Sequence, residues 1–499
     1  MRLNVNALSF SLCGFMAKKK RNRKKRKPVN RAAGVTAALF SVAYVLMILA
    51  LVWHETRERN EVYSNTYNRK RIEVIEAEIT RGTIYASDGT ALAYTKTDAD
   101  GKETRLYPYD DMFAHTVGFS VQGGMGLESQ MQEFLMSADI SLSERLSNDL
   151  KESKDLGNSV YTSLDPAAQL IAYNSLGNYK GAVIVTEVKT GRILAMVSKP
   201  CFDPNTIEAD WEEISKDEVQ SPLMNRASQG LYPPGSTFKI ISTLEYIREH
   251  PSDWSKYYYN CSGRITKGDT TIRCFHGTVH GGLDLKGSFA KSCNSSFANI
   301  GLGLNRSMFA ETLESLMFNQ VPPVDFAANP SHISMRENMT EENIMQTAIG
   351  QSETLVTPLQ MNMITQAIAN DGVMMKPYMV DKVVSSEGKI IKNYAPKPLG
   401  TVMSPEEASI MRSFMEAVVQ SGTGTALKGL PYTAAGKTGS AEISDSSDVS
   451  HAWFTGYAPA DEPEIAITVI MERAGTGGST AVPVAQRIFS GYFGRRLQN

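Results

Sequence analysis

Tyr232-Pro233-Pro234-Gly235-Ser236-Thr237-Phe238-Lys239 is the stretch on which the reading of this chain turns. A breaker run ends at Gly235, and the apolar run Ile240-Ile241-Ser242-Thr243-Leu244 then reads as a helix. Three residues apart, Ser236 and Lys239 share one helical face. A serine hydroxyl is a weak nucleophile until a base takes its proton. A lysine serves as that base when burial or cationic neighbours lower its pKa. This spacing alone arises by chance in many chains. Here two companions follow in order, Ser292-Cys293-Asn294 and Lys437-Thr438-Gly439. Taken singly, the first is an ordinary helix start and the second an ordinary turn. In order and together, the three make chance a poor account of any one of them.

With 499 residues, length alone suggests roughly two to four domains. Hydrophobic residues make up 42% and charged residues 21%, a globular composition able to bury a core. The net charge of −2 conceals an asymmetry. Residues 1–31 hold eleven Lys and Arg and no acidic residue, leaving 40 basic against 53 acidic residues, a balance of −13. The basic run Lys18-Lys19-Lys20-Arg21-Asn22-Arg23-Lys24-Lys25-Arg26-Lys27 would suit nucleic acid. That reading is set aside because residues 32–53 are apolar and uncharged. At about 1.5 Å per residue such a helix spans the roughly 30 Å hydrocarbon core of a bilayer. Basic residues before it and Glu55 after it predict a cytoplasmic N-terminus and an exported remainder. A cleaved signal peptide would have a shorter core and a small-x-small site, and Trp53-His54-Glu55 offers none. Residues 1–15 differ from the basic tail, for which Met16-Ala17-Lys18 is an equally ordinary start.

Further organisation follows from periodicity. Residues 55–70 are polar and read as a helical stalk. Glu78-Ile79-Thr80-Arg81-Gly82-Thr83-Ile84-Tyr85 and Ala91-Leu92-Ala93-Tyr94 flank the turn Ser87-Asp88-Gly89 and predict a β-hairpin. Arg105-Leu106-Tyr107-Pro108 reads as another short strand, and residues 126–136 as helical. From Ser159 the pattern changes. The apolar runs 181–188 and 192–198 predict a buried antiparallel hairpin, and 452–457 with 464–470 a second. Helical patterns at 408–419 and 484–493 complete an α+β domain with a central antiparallel sheet flanked by helices. The expected division is a basic tail (1–31), a transmembrane helix (32–53), a stalk and strand-rich pedestal (54–158) and a catalytic domain (159–499).

Five cysteines in an exported chain of this size do not organise the fold through disulfides. Cys261 and Cys274 bracket a Gly-containing segment, and one loop-closing disulfide between them is an open alternative to free thiols. With His276 and His280 they invite a zinc reading. The spacing is wrong for a usual finger, so both histidines are taken as loop residues and no metal is expected.

With these residues in view, the chain resembles a class B penicillin-binding protein, whose signature is the ordered trio. The resemblance covers nearly everything after the basic tail. It extends to Arg81-Gly82, Asp88-Gly89, Gly126-Leu127-Glu128, Thr162-Ser163-Leu164-Asp165, Phe202-Asp203-Pro204-Asn205, Asn225-Arg226-Ala227, Gly350-Gln351, Thr357-Pro358-Leu359-Gln360 and Gly422-Thr423-Gly424-Thr425-Ala426. Arg105-Leu106-Tyr107-Pro108 and His115-Thr116-Val117-Gly118 are similar to the elongation and sporulation branch. Two positions depart from common patterns. Ser352 follows Gly350-Gln351 where glycine is frequent, and Cys293 replaces the aspartate of class A β-lactamases.

The resemblance implies a peptidoglycan D,D-transpeptidase that β-lactams acylate. Ser236 would attack the D-Ala-D-Ala carbonyl and Lys239 take its proton. Ser292, held by Asn294 and Lys437, would relay a proton to the leaving amine. Thr438 and Gly439 would line the cleft, and the N–H groups of Ser236 and Ser440 would hold the oxyanion. No cofactor and no metal are implied. Expected partners are stem peptides, β-lactams, the membrane and a multi-spanning glycan polymerase. The rivals are a D,D-carboxypeptidase, which differs only in its acceptor, a β-lactam sensor and an inert scaffold. A sensor needs a large cytoplasmic effector, and only about thirty residues precede the predicted span. Intact Ser236 and Lys239 weigh against a scaffold.

Overall fold

The computed structural model describes residues 31–57, 75–443 and 449–496. The basic tail and most of the predicted stalk lie outside the described residues. The chain forms two units, Met1–Tyr63 and Ser64–Asn499. Among the described residues the first contains one helix, Arg31–Arg57, of 27 residues. The predicted crossing at 32–53 lies within it, and its described side chains cover only residues 34–50. Among the described residues no helix is long and apolar enough to cross a membrane.

In the second unit, five strands build the central sheet: β1 (Gly181–Glu187), β2 (Ile193–Lys199), β3 (Ala435–Glu442), β4 (Ser450–Ala458) and β5 (Ile465–Met471). Their order is β3-β4-β5-β1-β2, and every pairing is antiparallel. Both predicted hairpins, β1-β2 and β4-β5, are present. Such strands read as unbroken apolar runs because both faces are covered. Ala182 and Ile184 join one hydrophobic cluster, whereas Val183 and Val185 join the other. Helices α1 (Pro166–Leu176) and α6 (Val482–Arg496) contribute to the second cluster. Helix α4 (Pro358–Ala369) contributes to the first and is buried along its whole length. Its start is fixed by Pro358 and by the Thr357 hydroxyl, which accepts from the Gln360 N–H. Three further helices matter for the site: α2 (Lys239–Glu249), α3 (Asn294–Gly303) and α5 (Pro405–Ser421).

A second sheet has six strands, running Ile390–Asn393, Val380–Val384, Ser159–Thr162, Ile84–Tyr85, Ala91–Thr97 and Glu103–Leu106. It draws on residues from both sides of position 158. The predicted strand across 78–85 is corrected here. It breaks into Ile79–Thr80, which pairs in parallel with Asp155–Leu156, and Ile84–Tyr85, which pairs with Ala91 and Ala93. The break lies at Arg81-Gly82. The Gly82 N–H donates to the Leu135 carbonyl at 2.9 Å, and a Cβ at Gly82 would stand 2.0 Å from the Asn158 carbonyl oxygen. The helical run after Gly126 is likewise two short helices, Gly126–Gln130 and Gln132–Leu135.

Arg81 turns its side chain from the sheet to a buried carboxylate. Its Nε donates to Glu128 at 2.6 Å, and the Arg105 Nε donates to the other oxygen at 2.7 Å. Glu128 is fully buried. Burial pushes its carboxyl up, but the two guanidiniums prevail and hold it below the usual carboxylate range. Removing one side of such a cluster strands the other in the interior. Glu128→Ala is therefore expected to cost about 3–5 kcal/mol, read as a lower midpoint in denaturant. A change under about 1 kcal/mol would mean that both arginines reach water.

Candidate active site

The site is built where a glycine turn meets strand β3. Gly235–Phe238 is a single 3₁₀ turn, and Lys239 opens α2 directly behind it. Gly235 has φ +51°, and a Cβ there would stand 2.6 Å from the Ser440 carbonyl oxygen. Its N–H donates to Gly350 at 2.9 Å, and a Cβ on Gly350 would meet the Gly235 oxygen at 2.0 Å. Gly439 approaches from the strand, where a Cβ would be 2.9 Å from the Pro234 oxygen. Trp453, fully buried on β4 opposite Gly439, donates from Nε1 to the Pro233 carbonyl at 3.0 Å. Close backbone approach therefore requires glycine at 235, 350 and 439.

Two predicted residues, Lys239 and Lys437, converge on Ser292. The Lys437 Nζ donates to its hydroxyl oxygen at 3.0 Å, and the Lys239 Nζ lies 3.2 Å from the same atom. Lys239 also donates to the Ser292 carbonyl at 2.8 Å and to Asn294 Oδ1 at 2.7 Å. Asn294 Nδ2 donates to the Arg273 carbonyl at 3.0 Å, which orients its amide. Ser292 itself sits at φ +54°, a left-handed conformation that a non-glycine residue adopts at a cost of roughly 1–3 kcal/mol. Both lysines are fully buried, and among the described residues neither forms an ion pair with a carboxylate. They lie instead near aromatic faces. Lys239 is 5.3 Å from the Phe297 ring centroid, and Lys437 is 5.6 Å from that of Phe289.

That environment disfavours the ammonium form. Burial lowers Lys239 to about 7 against a weak opposing pull from the Cys293 and Cys274 thiols. Burial and the neighbouring Lys239 together hold Lys437 well below its ordinary value. Each neutral lysine offers a lone pair within the cluster. Ser236 is half-buried at the mouth. Among the described residues, no hydrogen-bond partner reaches its hydroxyl, and Lys239 is turned towards Ser292 and Asn294.

Of the remaining predicted residues, Thr438 pairs its hydroxyl with that of Thr423, and the Ser440 hydroxyl accepts from the Gly477 N–H at 3.1 Å. Thr423 and Gly477 were not among the predicted site residues. The glycines around Thr423 announce a turn, but nothing local says that the turn abuts β3. Behind the site, Arg226 donates to Glu472 at 2.8 Å, and the Tyr232 hydroxyl donates to the same carboxylate at 2.8 Å. This clamp holds the entry to the glycine turn.

Residues 181–490 match the penicillin binding protein transpeptidase domain, and residues 81–160 match the penicillin binding protein A dimerisation domain. The chain belongs to the penicillin-binding protein transpeptidase family. It is 30% identical over 488 residues to peptidoglycan D,D-transpeptidase PbpA of Mycolicibacterium smegmatis, covering 91% of this chain and 98% of that one. It is similar to the solved D,D-transpeptidase domain of a peptidoglycan glycosyltransferase from Eggerthella lenta, with TM-score 0.76, 29% identity and coverage of 83% and 98%. Penicillin-binding protein A of M. tuberculosis, solved as an imipenem acyl-enzyme complex, has TM-score 0.77, 26% identity and coverage of 84% and 99%.

With Lys239 as the base that activates Ser236, a pKa of about 7 would give a definite pH dependence. Acylation by a β-lactam is expected to fall about tenfold per unit below pH 7, as Lys239 protonates, and to level off above it. Lys239→Ala should slow acylation at least about a hundredfold at pH 8 while circular dichroism stays unchanged. A flat profile from pH 5.5 to 8.5 would place the base elsewhere.

Proposed function

We propose that this chain cross-links peptidoglycan as a serine D,D-transpeptidase, with Ser236 as the nucleophile. The observation that carries the assignment is the convergence of Lys239 and Lys437 on Ser292 beside the Ser236 turn. Ser236 Oγ attacks the carbonyl of the terminal D-Ala-D-Ala bond, and its proton passes to neutral Lys239. The oxyanion is received by the N–H groups of Ser236 and Ser440. The contact between Gly235 and the Ser440 backbone supports their pairing. One such donor is worth about 3–4 kcal/mol in comparable sites. The Ser292 oxygen lies within reach of both lysine nitrogens, so its O–H donates to the departing amine while the Lys239 ammonium passes the proton taken from Ser236 to the Ser292 oxygen. Protonated D-alanine leaves, and the Ser236 ester remains. An acceptor amine then attacks that ester, an amide forms, and Ser236 regains its proton. Thr438 is placed to receive the substrate carboxylate. A β-lactam enters the same path, but opening its ring leaves the amine tethered to the acyl-enzyme.

The same reading makes residues 32–53 a single membrane crossing, with the basic tail inside and residues 54–499 outside. What supports it is the uncharged apolar stretch behind a basic run. It also gives the enzyme a multi-spanning glycan polymerase as partner, met through the anchor and the pedestal near Arg81. The family resemblance and the short segment before the catalytic domain support that pairing.

Incubation with a fluorescent penicillin should label one peptide, the one containing Ser236, and Ser236→Ala should abolish the label. Full labelling of that variant would overturn the assignment. In detergent, the purified protein is expected to leave lipid II unpolymerised and to cross-link glycan strands once a polymerase is added. Glycan synthesis by this chain alone would refute the division of labour.

A further inference from the structure

The hairpin beside the second motif carries a pair of charges that the fold leaves unanswered. Its strands, Arg264–Lys267 and Thr270–Arg273, run antiparallel with Arg264 registered opposite Arg273 and Thr266 opposite Thr271. Residues two apart on a strand share a face, so the arginines lie on the face where the Thr266 and Thr271 hydroxyls meet at 2.9 Å. Both arginines are exposed, whereas Ile272 on the other face is buried. Like charges directly opposite one another destabilise a ladder. Lys267, at the turn, has an answering carboxylate in Glu341 at 3.6 Å. Among the described residues, neither arginine side chain has a hydrogen bond or an ion pair. The excess extends around them. Residues 256–291 hold six basic residues and two acidic ones, against a balance of −13 for residues 32–499 as a whole. One of the two acids, Asp284, accepts from the Gly287 N–H at 2.6 Å and caps the helix there. A positive patch on a negative chain is suited to an anionic partner.

The patch adjoins the site. The Arg273 carbonyl accepts from Asn294 Nδ2 at 3.0 Å, and Asn294 Oδ1 accepts from Lys239 at 2.7 Å. On the proposed path, the donor's terminal carboxylate belongs to Thr438. The acceptor amine takes the place of the departed one, beside Ser292, because the second half-reaction retraces the first. D-Alanine is small and needs no further room. An acceptor stem peptide is longer, and its remainder has to lie on surface that the leaving group does not use. The hairpin is what adjoins the motif there. Paired guanidiniums present parallel N–H groups that match the two oxygens of a carboxylate. Phe275, 51% exposed and two residues beyond Arg273, adds an apolar surface fit for a peptide rather than an inorganic anion.

We infer that Arg264 and Arg273 bind a carboxylate of the acceptor stem peptide and so select the amine that reaches the Ser236 ester. The inference rests on the proposed acyl transfer and names the surface that its second half uses. The two arginines determine specificity and take no part in making or breaking bonds. Binding the carboxylate relieves the repulsion that the free hairpin carries. The pair has no task where water is the acceptor, so it also separates a transpeptidase from a D,D-carboxypeptidase.

The test uses full-length protein in detergent, a D-Ala-D-Ala donor peptide and two acceptors: a stem peptide with free carboxylates, and the same peptide with its carboxylates amidated. Cross-linked product should form with kcat/KM about tenfold higher for the free acid, the difference lying in KM. Both acceptors meet the same acyl-enzyme, so the rate of acylation cancels from the ratio. Arg264→Gln and Arg273→Gln together should erase the preference. Arg264→Gln alone, on the strand further from Asn294, should lower it at least about threefold. Equal use of the two acceptors by the unmodified protein, or an undiminished preference in the double variant, would overturn the inference. Release of D-alanine with neither acceptor consumed would sink the acceptor surface and the cross-linking assignment together. Absence of a penicillin label on Ser236 would instead fail the acyl transfer itself.

Discussion

The site depends on two lysines buried against one serine hydroxyl with no carboxylate among the described residues to neutralise them. Burying an ammonium is costly, and proteins usually answer with an acid or let the group lose its proton. Here the second course is taken. Lys239 and Lys437 hydrogen-bond to Ser292, Asn294 and backbone carbonyls, all of which tolerate a neutral amine. A carboxylate within reach of the two amines would raise both towards their ordinary pKa. The aromatic faces of Phe297 and Phe289 offer a weaker, non-titrating attraction for the moments when the lysines are charged.

Such a cluster works only if its parts are held to within a fraction of an ångström. The holding is done by backbone. The Gly235 turn, the Gly350 carbonyl and the Gly439 strand meet without intervening side chains, and Trp453 fastens Pro233 from the neighbouring strand. Elements distant in sequence are thereby locked together at main-chain contact. That contact resists sliding because Gly439 is in a hydrogen-bonded strand ladder and the Gly235 N–H is bonded to the Gly350 carbonyl. The central sheet, covered on both faces, gives that ladder its rigidity.

Much of this was legible before any coordinates, for identifiable reasons. Continuous apolar runs at 181–188, 192–198 and 464–470 are short, rich in β-branched residues and bounded by turn signals, which favours buried strands over helices. Their antiparallel pairing followed from the short connections. Ser236 and Lys239 were legible because breaker and helix signals set their spacing. The contacts among motifs were not. That Lys437 reaches Ser292, or that Thr423 meets Thr438, depends on crossovers that periodicity does not encode. The strand at 78–85 misled because its alternation is genuine. Arg81 leaves the sheet to satisfy Glu128, a demand made 47 residues away. Local pattern yielded there to the need to pair a buried charge.

The second motif shows how one tripeptide can serve two neighbours at once. Successive residues at a helix start project in different directions, so Ser292 and Asn294 can face the lysines while Cys293 faces the other way. The serine's left-handed backbone is what turns the chain between them. A strained residue persists only where its flanks are over-determined. On its C-terminal side Cys293 is buried among sulfurs, and Asn294 is fixed by Lys239 and by the Arg273 carbonyl. Arg273 ends the hairpin strand Thr270–Arg273 and directly precedes Cys274, so both contacts lead to the same small hairpin. The lysine cluster and the cysteine cluster are therefore two faces of one turn.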